Sequence, residues 1–307
     1  MSKVNIGEVN IFYRVFREEQ EVGLDPTKDT LIVHHGGMGF LDHQIELEAW
    51  KPFSNYLQVV YLDQRGCGQS DDGDPEKWTM DQFGDDIKAF SEALGLKNPI
   101  LGGVSSGGYA SIACATRHPE FPRGLMLLNT EPVTLADAKR DAYLAQAKRA
   151  DKHEFSKFAN MTDAEIDTFA KKAGKLAFDY DMENVTFEAF AKYGFETISK
   201  KDYDLTAPVR VNQAMKDKFR NGFGQFDYQD DIAKVTCPVI WFSGEYDPIH
   251  PYTGAQEAAA KLPNNCEYHL LSAGAPVYCD APDAFYKAAN KFLEERFSRH
   301  SNQCNKS

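Results

Sequence analysis

The sequence predicts an α/β protein: a mostly parallel central sheet with a helical cap inserted between two of its strands. Three observations carry that expectation. Short apolar runs recur, each closed by Gly, Asp, Asn or Glu; the segments between them are long enough for crossover helices; and one long interval contains no strand-like run. Strands covered on both faces read as continuous apolar runs, and parallel neighbours need long connections, so the first two observations support each other.

Taken in order, Val4 to Phe16 alternate apolar and polar side chains, the pattern of one or two antiparallel strands at a sheet edge. The buried-strand runs follow as LIVHHGG, VVYLDQRG, ILGGVSSGG, GLMLLNTE, VIWFSGEYD and YHLLSAG. Met80 to Leu94 and Ser106 to Arg117 are two of the expected crossover helices. From Val133 to Phe226 the texture changes. Lys, Asp, Ala and aromatic residues recur there at helical spacing, as in FSKFANMTDAEIDTFAKKAGKLAFDY, which is the texture of a lid over a site. Most of its aromatics, Phe155, Phe158, Phe169 and Phe178 among them, are expected to pack helix against helix, and a few to make the space beneath apolar. The expected organisation is a core of residues 1–132 and 227–298, a helical cap of 133–226 and a polar, disordered tail of 299–307.

Composition narrows the function. The 307 residues carry 34 Lys and Arg against 46 Asp and Glu, a net charge of −12. With no basic run to neutralise phosphates, a nucleic-acid partner is not expected. No stretch reaches the roughly 18 apolar residues of a membrane span, so no membrane partner is expected either. The six cysteines are scattered without a CxxC pair, which suggests neither a disulfide framework nor a zinc site. A cytoplasmic protein acting on a small-molecule substrate is the default. No cofactor is implied, because no GxGxxG follows the first strand.

The sharpest motif is Gly103, Val104, Ser105, Ser106, Gly107, a GxSxG between a strand-like run and a helical one. Its glycines permit a tight turn that lifts the Ser105 hydroxyl out of the sheet, making Ser105 the candidate nucleophile. A serine nucleophile needs donors for the oxyanion that it creates. The glycine-rich turn His35, Gly36, Gly37, Met38, Gly39 follows the first buried strand, and the amides of Gly37 and Ser106 are the expected pair. His35 is expected to be structural.

These residues resemble the α/β-hydrolases, and among them the proline iminopeptidase-like branch. The resemblance rests on HGGMG at 35–39, DQRGCGQS at 63–70, GVSSGG at 103–108, RHPE at 117–120 and SGEYDP at 243–248. It implies the α/β-hydrolase fold, an eight-stranded sheet with a cap after the sixth strand, and a triad in the order Ser, Asp, His. Asp247 takes the place of the triad acid, ahead of its neighbour Glu245. The family histidine falls on Ala275, in the stretch GAPVYCDAPDAF. Without an imidazole there, nothing at that position takes the proton from Ser105.

Three readings of Ala275 follow. The favoured one is a His-to-Ala change that inactivates an otherwise intact serine hydrolase of aminopeptidase or amidase type. The second is a naturally non-hydrolytic protein, a ligand receptor or a lyase. The third is a histidine supplied from elsewhere, with His250 nearest in sequence to Asp247 but awkwardly placed on the acid's own loop. His269 and His118 are expected to be structural.

The resemblance also bears on substrate. Prolyl-specific members carry Trp after the nucleophile and Pro in the oxyanion turn, where this chain has Ser106 and Met38. That argues against strict prolyl aminopeptidase activity and leaves amide or ester hydrolysis. Met38, Glu131 and Tyr109 are the expected substrate contacts. Glu131 is read either as a partner for a cationic group or as a cap for the first cap helix.

Overall fold

The structure is a computed structural model. It describes residues 2–132, 210–219 and 226–297, apart from 246, 248, 249, 251, 263, 264 and 275. The expected cap lies outside these residues except for 210–219 and Phe226, and the expected tail lies wholly outside them.

The described strands are β1 (Ser2–Asn5), β2 (Asn10–Arg17), β3 (Gln20–Glu21), β4 (Thr30–His34), β5 (Gln58–Leu62), β6 (Ile100–Val104), β7 (Gly124–Leu128), β8 (Val239–Gly244) and β9 (Cys266–Leu271). They form one sheet in the order β1, β2, β5, β4, β6, β7, β8, β9, with β3 paired to β2. Pairing is parallel from β5 to β9 and antiparallel among the first strands. The described sheet thus has nine strands rather than eight, the extra one being the two-residue β3. Leaving β3 aside, β7 is the sixth strand.

Every residue of β4 to β8 is buried, whereas β1 is mostly exposed. That gradient explains why the middle strands are unbroken apolar runs and the edge alternates. Side chains of successive strand residues enter opposite layers. Leu125 and Leu127 of β7 join one hydrophobic cluster with Phe83, Ile87, Ile112 and Trp241, while Met126 and Leu128 join another with Trp50, Phe53, Phe285 and Phe292.

The described α-helices are α1 (Leu47–Trp50), α2 (Met80–Ala93), α3 (Ser106–Arg117), α4 (Gln213–Lys218), α5 (Tyr252–Lys261), α6 (Val277–Asp280) and α7 (Pro282–Phe297). Thr79 caps α2 by accepting from the Gln82 amide, and Met80, Phe83, Ile87 and Phe90 form its buried stripe. This is the three-to-four-residue spacing of an amphipathic helix. Among the described helices none is long and apolar enough to cross a membrane.

The described piece of the cap interval returns onto the core at the DQRGCGQS segment. Arg210 donates from Nε to Gly68 O at 2.6 Å and from Nη2 to Ser70 O at 3.0 Å, and pairs with Asp72. Asn212 caps α4, and its own amide reaches Gly39 O at 2.7 Å. Met215 is fully buried, with its sulfur 3.7 Å from Cys67 Sγ. These two glycine-bearing turns therefore seat the returning chain beside the site.

Candidate active site

Ser105 sits between β6 and α3 with φ 53° and ψ −124°, a left-handed conformation that a non-glycine residue adopts only when its surroundings enforce it. The flanking glycines permit that turn by close approach. A Cβ on Gly103 would lie 2.4 Å from Gly107 O, and one on Gly107 would lie 2.2 Å from His34 O. The Ser105 amide donates to Leu128 O at 3.0 Å, which ties the turn to β7.

The strand order brings two further loops alongside. β7 and β8 are parallel neighbours in which Leu128 pairs with Phe242, so the chain beyond each, bearing Glu131 on one side and Asp247 and His250 on the other, emerges side by side. Nε2 of His250 lies 2.9 Å from Ser105 Oγ. Nδ1 of the same ring lies 2.9 Å from Glu131 Oε2 and 2.9 Å from the Tyr109 hydroxyl. Tyr109, one helical turn beyond Ser105, donates its hydroxyl to Glu131 Oε1 at 3.1 Å. All three partners are buried: Glu131 is 3% exposed, Tyr109 2% and His250 6%. In the tautomer whose Nδ1 proton is directed at the Glu131 carboxylate, Nε2 presents its lone pair to Ser105 Oγ.

Asp247 holds the backbone. Its Oδ1 accepts the His250 amide at 2.9 Å, and its Oδ2 accepts Asn129 Nδ2 at 2.7 Å. Asn129 has φ 45°, donates also to Gly274 O at 3.1 Å and accepts the Val277 amide at 2.9 Å. Asp247 and Asn129 thereby lash together the chain on both sides of position 275. Ala275 itself lies outside the described residues.

These contacts correct one expectation, the awkward placing of His250, and give other expected site residues partners that the sequence did not show. The Asp247 carboxylate meets a backbone amide and an asparagine, and the carboxylate on the ring is that of Glu131: the His250 amide points to Asp247 while its side chain reaches across to the loop after β7. His250 is not awkwardly placed for Ser105. Glu131 has both oxygens engaged, by Tyr109 and His250, and the cap helix it was expected to begin lies outside the described residues. Tyr109, expected at the substrate, supports Glu131 and the ring. Met38 is wholly buried in a hydrophobic cluster. The missed signal was the adjacency of β7 and β8: Glu131 and Asp247 stand equally far beyond the ends of neighbouring strands.

Of the expected oxyanion donors, Ser106 follows Ser105 directly, and Gly37 follows the glycine that approaches it. A Cβ on Gly36 would lie 3.2 Å from Ser105 Cβ, which measures how closely the HGG turn approaches. Gly37 has φ 66° and its carbonyl accepts from the Phe40 and Leu41 amides. Ser106 opens α3, where first-turn amides have no acceptor within the helix. His35 is buried, with Nδ1 on Gly36 O at 2.7 Å and Nε2 accepting the Gln64 amide at 3.3 Å. Burial holds its pKa below the usual value and outweighs the opposing charge of Asp63. Behind the turn, Glu46 accepts from Trp50 Nε1 at 3.1 Å, from the Tyr278 hydroxyl at 3.3 Å and from the Gly36 amide. Its burial pushes its pKa up to about 7 against those hydrogen bonds.

Asp42, His43 and Asp63 form the one described cluster with metal-ligand spacing, their candidate atoms all within 4.8 Å. Its oxygens are already satisfied: Asp63 Oδ1 accepts from the His43 amide and ring, Asp63 Oδ2 from the Gln69 amide, and Asp42 Oδ1 from the Gln44 amide. The cluster reads as a buried brace for the segment after β5.

Residues 29–282 match the family model for the α/β hydrolase fold. The chain belongs to that family. Among relatives, a proline iminopeptidase of Saccharolobus solfataricus is 26% identical over 78% of this chain and 75% of its own length. A proline iminopeptidase of Thermoplasma volcanium is 29% identical over 80% of each chain. The crystal structure of a proline iminopeptidase from Mycobacterium smegmatis superposes with a TM-score of 0.72 at 21% identity, covering 96% of this chain and 98% of that one. An enol-lactonase from Burkholderia xenovorans does so with a TM-score of 0.68 at 18% identity, covering 95% and 99%. At these identities the two structures establish the hydrolase fold.

Proposed function

We propose that this α/β hydrolase is an active serine hydrolase, cleaving an ester or amide bond of a small, partly hydrophobic substrate through an acyl-enzyme on Ser105. The observation that carries the reading is the 2.9 Å contact between Ser105 Oγ and His250 Nε2 on a strained strand-to-helix turn. Ser105 Oγ attacks the carbonyl carbon as its proton passes to Nε2, and the negative oxygen faces the amides of Gly37 and Ser106. The bond to the leaving group breaks, and that group departs with the proton from Nε2. Water then gives a proton to the ring and its oxygen to the acyl carbon, and Oγ leaves and recovers the proton. The relatives named as proline iminopeptidases support cleavage of an acyl bond. We retain the helical cap over 133–226 as the roof of the pocket, and the cytoplasm as location on the scattered cysteines.

The reading of Ala275 as inactivating competes with this one, because it gives His250 no part in the chemistry. A stopped-flow assay with a p-nitrophenyl ester separates them. The parent chain is expected to release a burst of about one product per enzyme, Ser105→Ala none, and His250→Ala a rate lower on the order of 10⁴- to 10⁶-fold. A silent parent that gains a burst on Ala275→His establishes the inactivated enzyme instead. If neither chain reacts while both remain folded, a non-hydrolytic role replaces both.

A further inference from the structure

Resting on Ser105 and His250 as the reacting pair, we propose that Glu131 is the carboxylate that orients the His250 ring and balances its charge, and that Asp247 is a brace for the loop that carries it. The ring carries the case. Its two nitrogens divide their contacts so that Nε2 faces Ser105 Oγ and Nδ1 faces Glu131 Oε2, each at 2.9 Å. A buried carboxylate on Nδ1 fixes the tautomer that leaves Nε2 basic, and stabilises the imidazolium formed when Ser105 gives up its proton.

The Glu131 carboxylate is itself held. Tyr109 donates to its Oε1, and the Tyr109 ring stands edge-on to the imidazole at 5.8 Å between centroids and 71° between planes. Asp247 supplies the complementary half of the construction. Its oxygens take the His250 amide and Asn129 Nδ2, two neutral donors that fix where the loop runs. Acid and base thus each sit one strand earlier in the sheet than the family resemblance implies, with the chain order nucleophile, acid, base kept: the acid follows β7 and the base follows β8.

Among the described residues, Glu131, Tyr109 and Ser105 contact the ring and Asp247 its amide, and substituting Glu131 and Asp247 separates their roles. Acylation of Ser105 by a p-nitrophenyl ester would be followed as single turnovers across pH. In parallel, the low-field proton resonance of the imidazole N–H would be recorded in substrate-free enzyme. Glu131→Gln is expected to slow acylation on the order of 10⁴-fold, to lower the apparent pKa of the acylation limb, and to abolish or shift the low-field resonance. Asp247→Asn is expected to slow acylation by less than about tenfold, to lower the melting temperature, and to leave the limb and the resonance in place. Glu131→Asp, which keeps the charge on a shorter arm, is expected to recover part of the rate. The reverse pattern, with Asp247→Asn removing the resonance and moving the limb, overturns the assignment. So does an equal loss in both variants with neither limb moved, since that is what two purely structural residues would give. Because the resonance needs no turnover, a parent chain that fails to acylate but shows a proton lost only in Glu131→Gln refutes the hydrolase reading while upholding this pairing.

Discussion

Glu46 is a carboxyl group kept almost entirely from water, and at 1% exposure its behaviour with pH is a test of the region behind the glycine-rich turn after β4. In the folded chain its pKa lies at about 7, against 4.5 for an ordinary glutamate. Between those values the folded state binds more protons than the unfolded one, so stability is fully present below about pH 4.5 and is lost as pH rises through 7. The loss amounts to on the order of 3 kcal/mol across that window. Glu46→Gln keeps an accepting oxygen for Trp50, Tyr278 and Gly36 and cannot ionise. Its melting temperature is therefore expected to fall less than the parent's between pH 5.5 and 8, a difference that thermal denaturation by circular dichroism would read. Single residues also mark where sequence reading stops. Ser105 was legible because GxSxG is a local device whose glycines serve the serine between them. His250 was not, because its partner is 119 positions away and meets it only when two strands lie side by side.

Among the elements, the turn between β6 and α3 has the least room for change. Gly107 packs against the backbone of β4, where an added Cβ would press on the carbonyl of His34 at 2.2 Å and on that of His35 at 2.6 Å. Backbone cannot step aside as a flexible side chain can. Gly107→Ala is expected to cost about 1–3 kcal/mol and to displace Ser105 from His250. Urea unfolding would measure the first effect, and the burst amplitude the second. The elements were the most readable level of the sequence. The apolar runs of β4 to β8 were plain because both faces of those strands are covered, and α3 spans Ser106–Arg117 as expected. β3 escaped notice because two exposed residues paired to β2 leave no period to read. The loops after β7 and β8 were placed correctly as strand ends. What could not be read was the direction of their side chains, which depends on how Asp247 and Asn129 lash those loops together.

At the scale of the whole molecule, the sheet order sets β6, β7 and β8 side by side, so that their carboxyl ends deliver Ser105, Glu131 and His250 to one place. The three groups are not equally anchored. The amide of Ser105 is bonded to a strand carbonyl, Leu128 O, whereas the amide of His250 is bonded to a side chain, Asp247 Oδ1. Proteins open locally in units whose free energies range from near zero up to that of global unfolding, and loops open before central strands. The proposed nucleophile, Ser105, is therefore expected to belong to a slower-exchanging unit of the fold than the proposed base, His250. Deuterium uptake is expected to reach the His250 amide well before that of Ser105. On gradual heating, catalytic activity should fade at temperatures where the far-ultraviolet signal of the sheet is still intact, and return on cooling. This enzyme would lose its chemistry reversibly, by letting go of one imidazole, before it loses its shape.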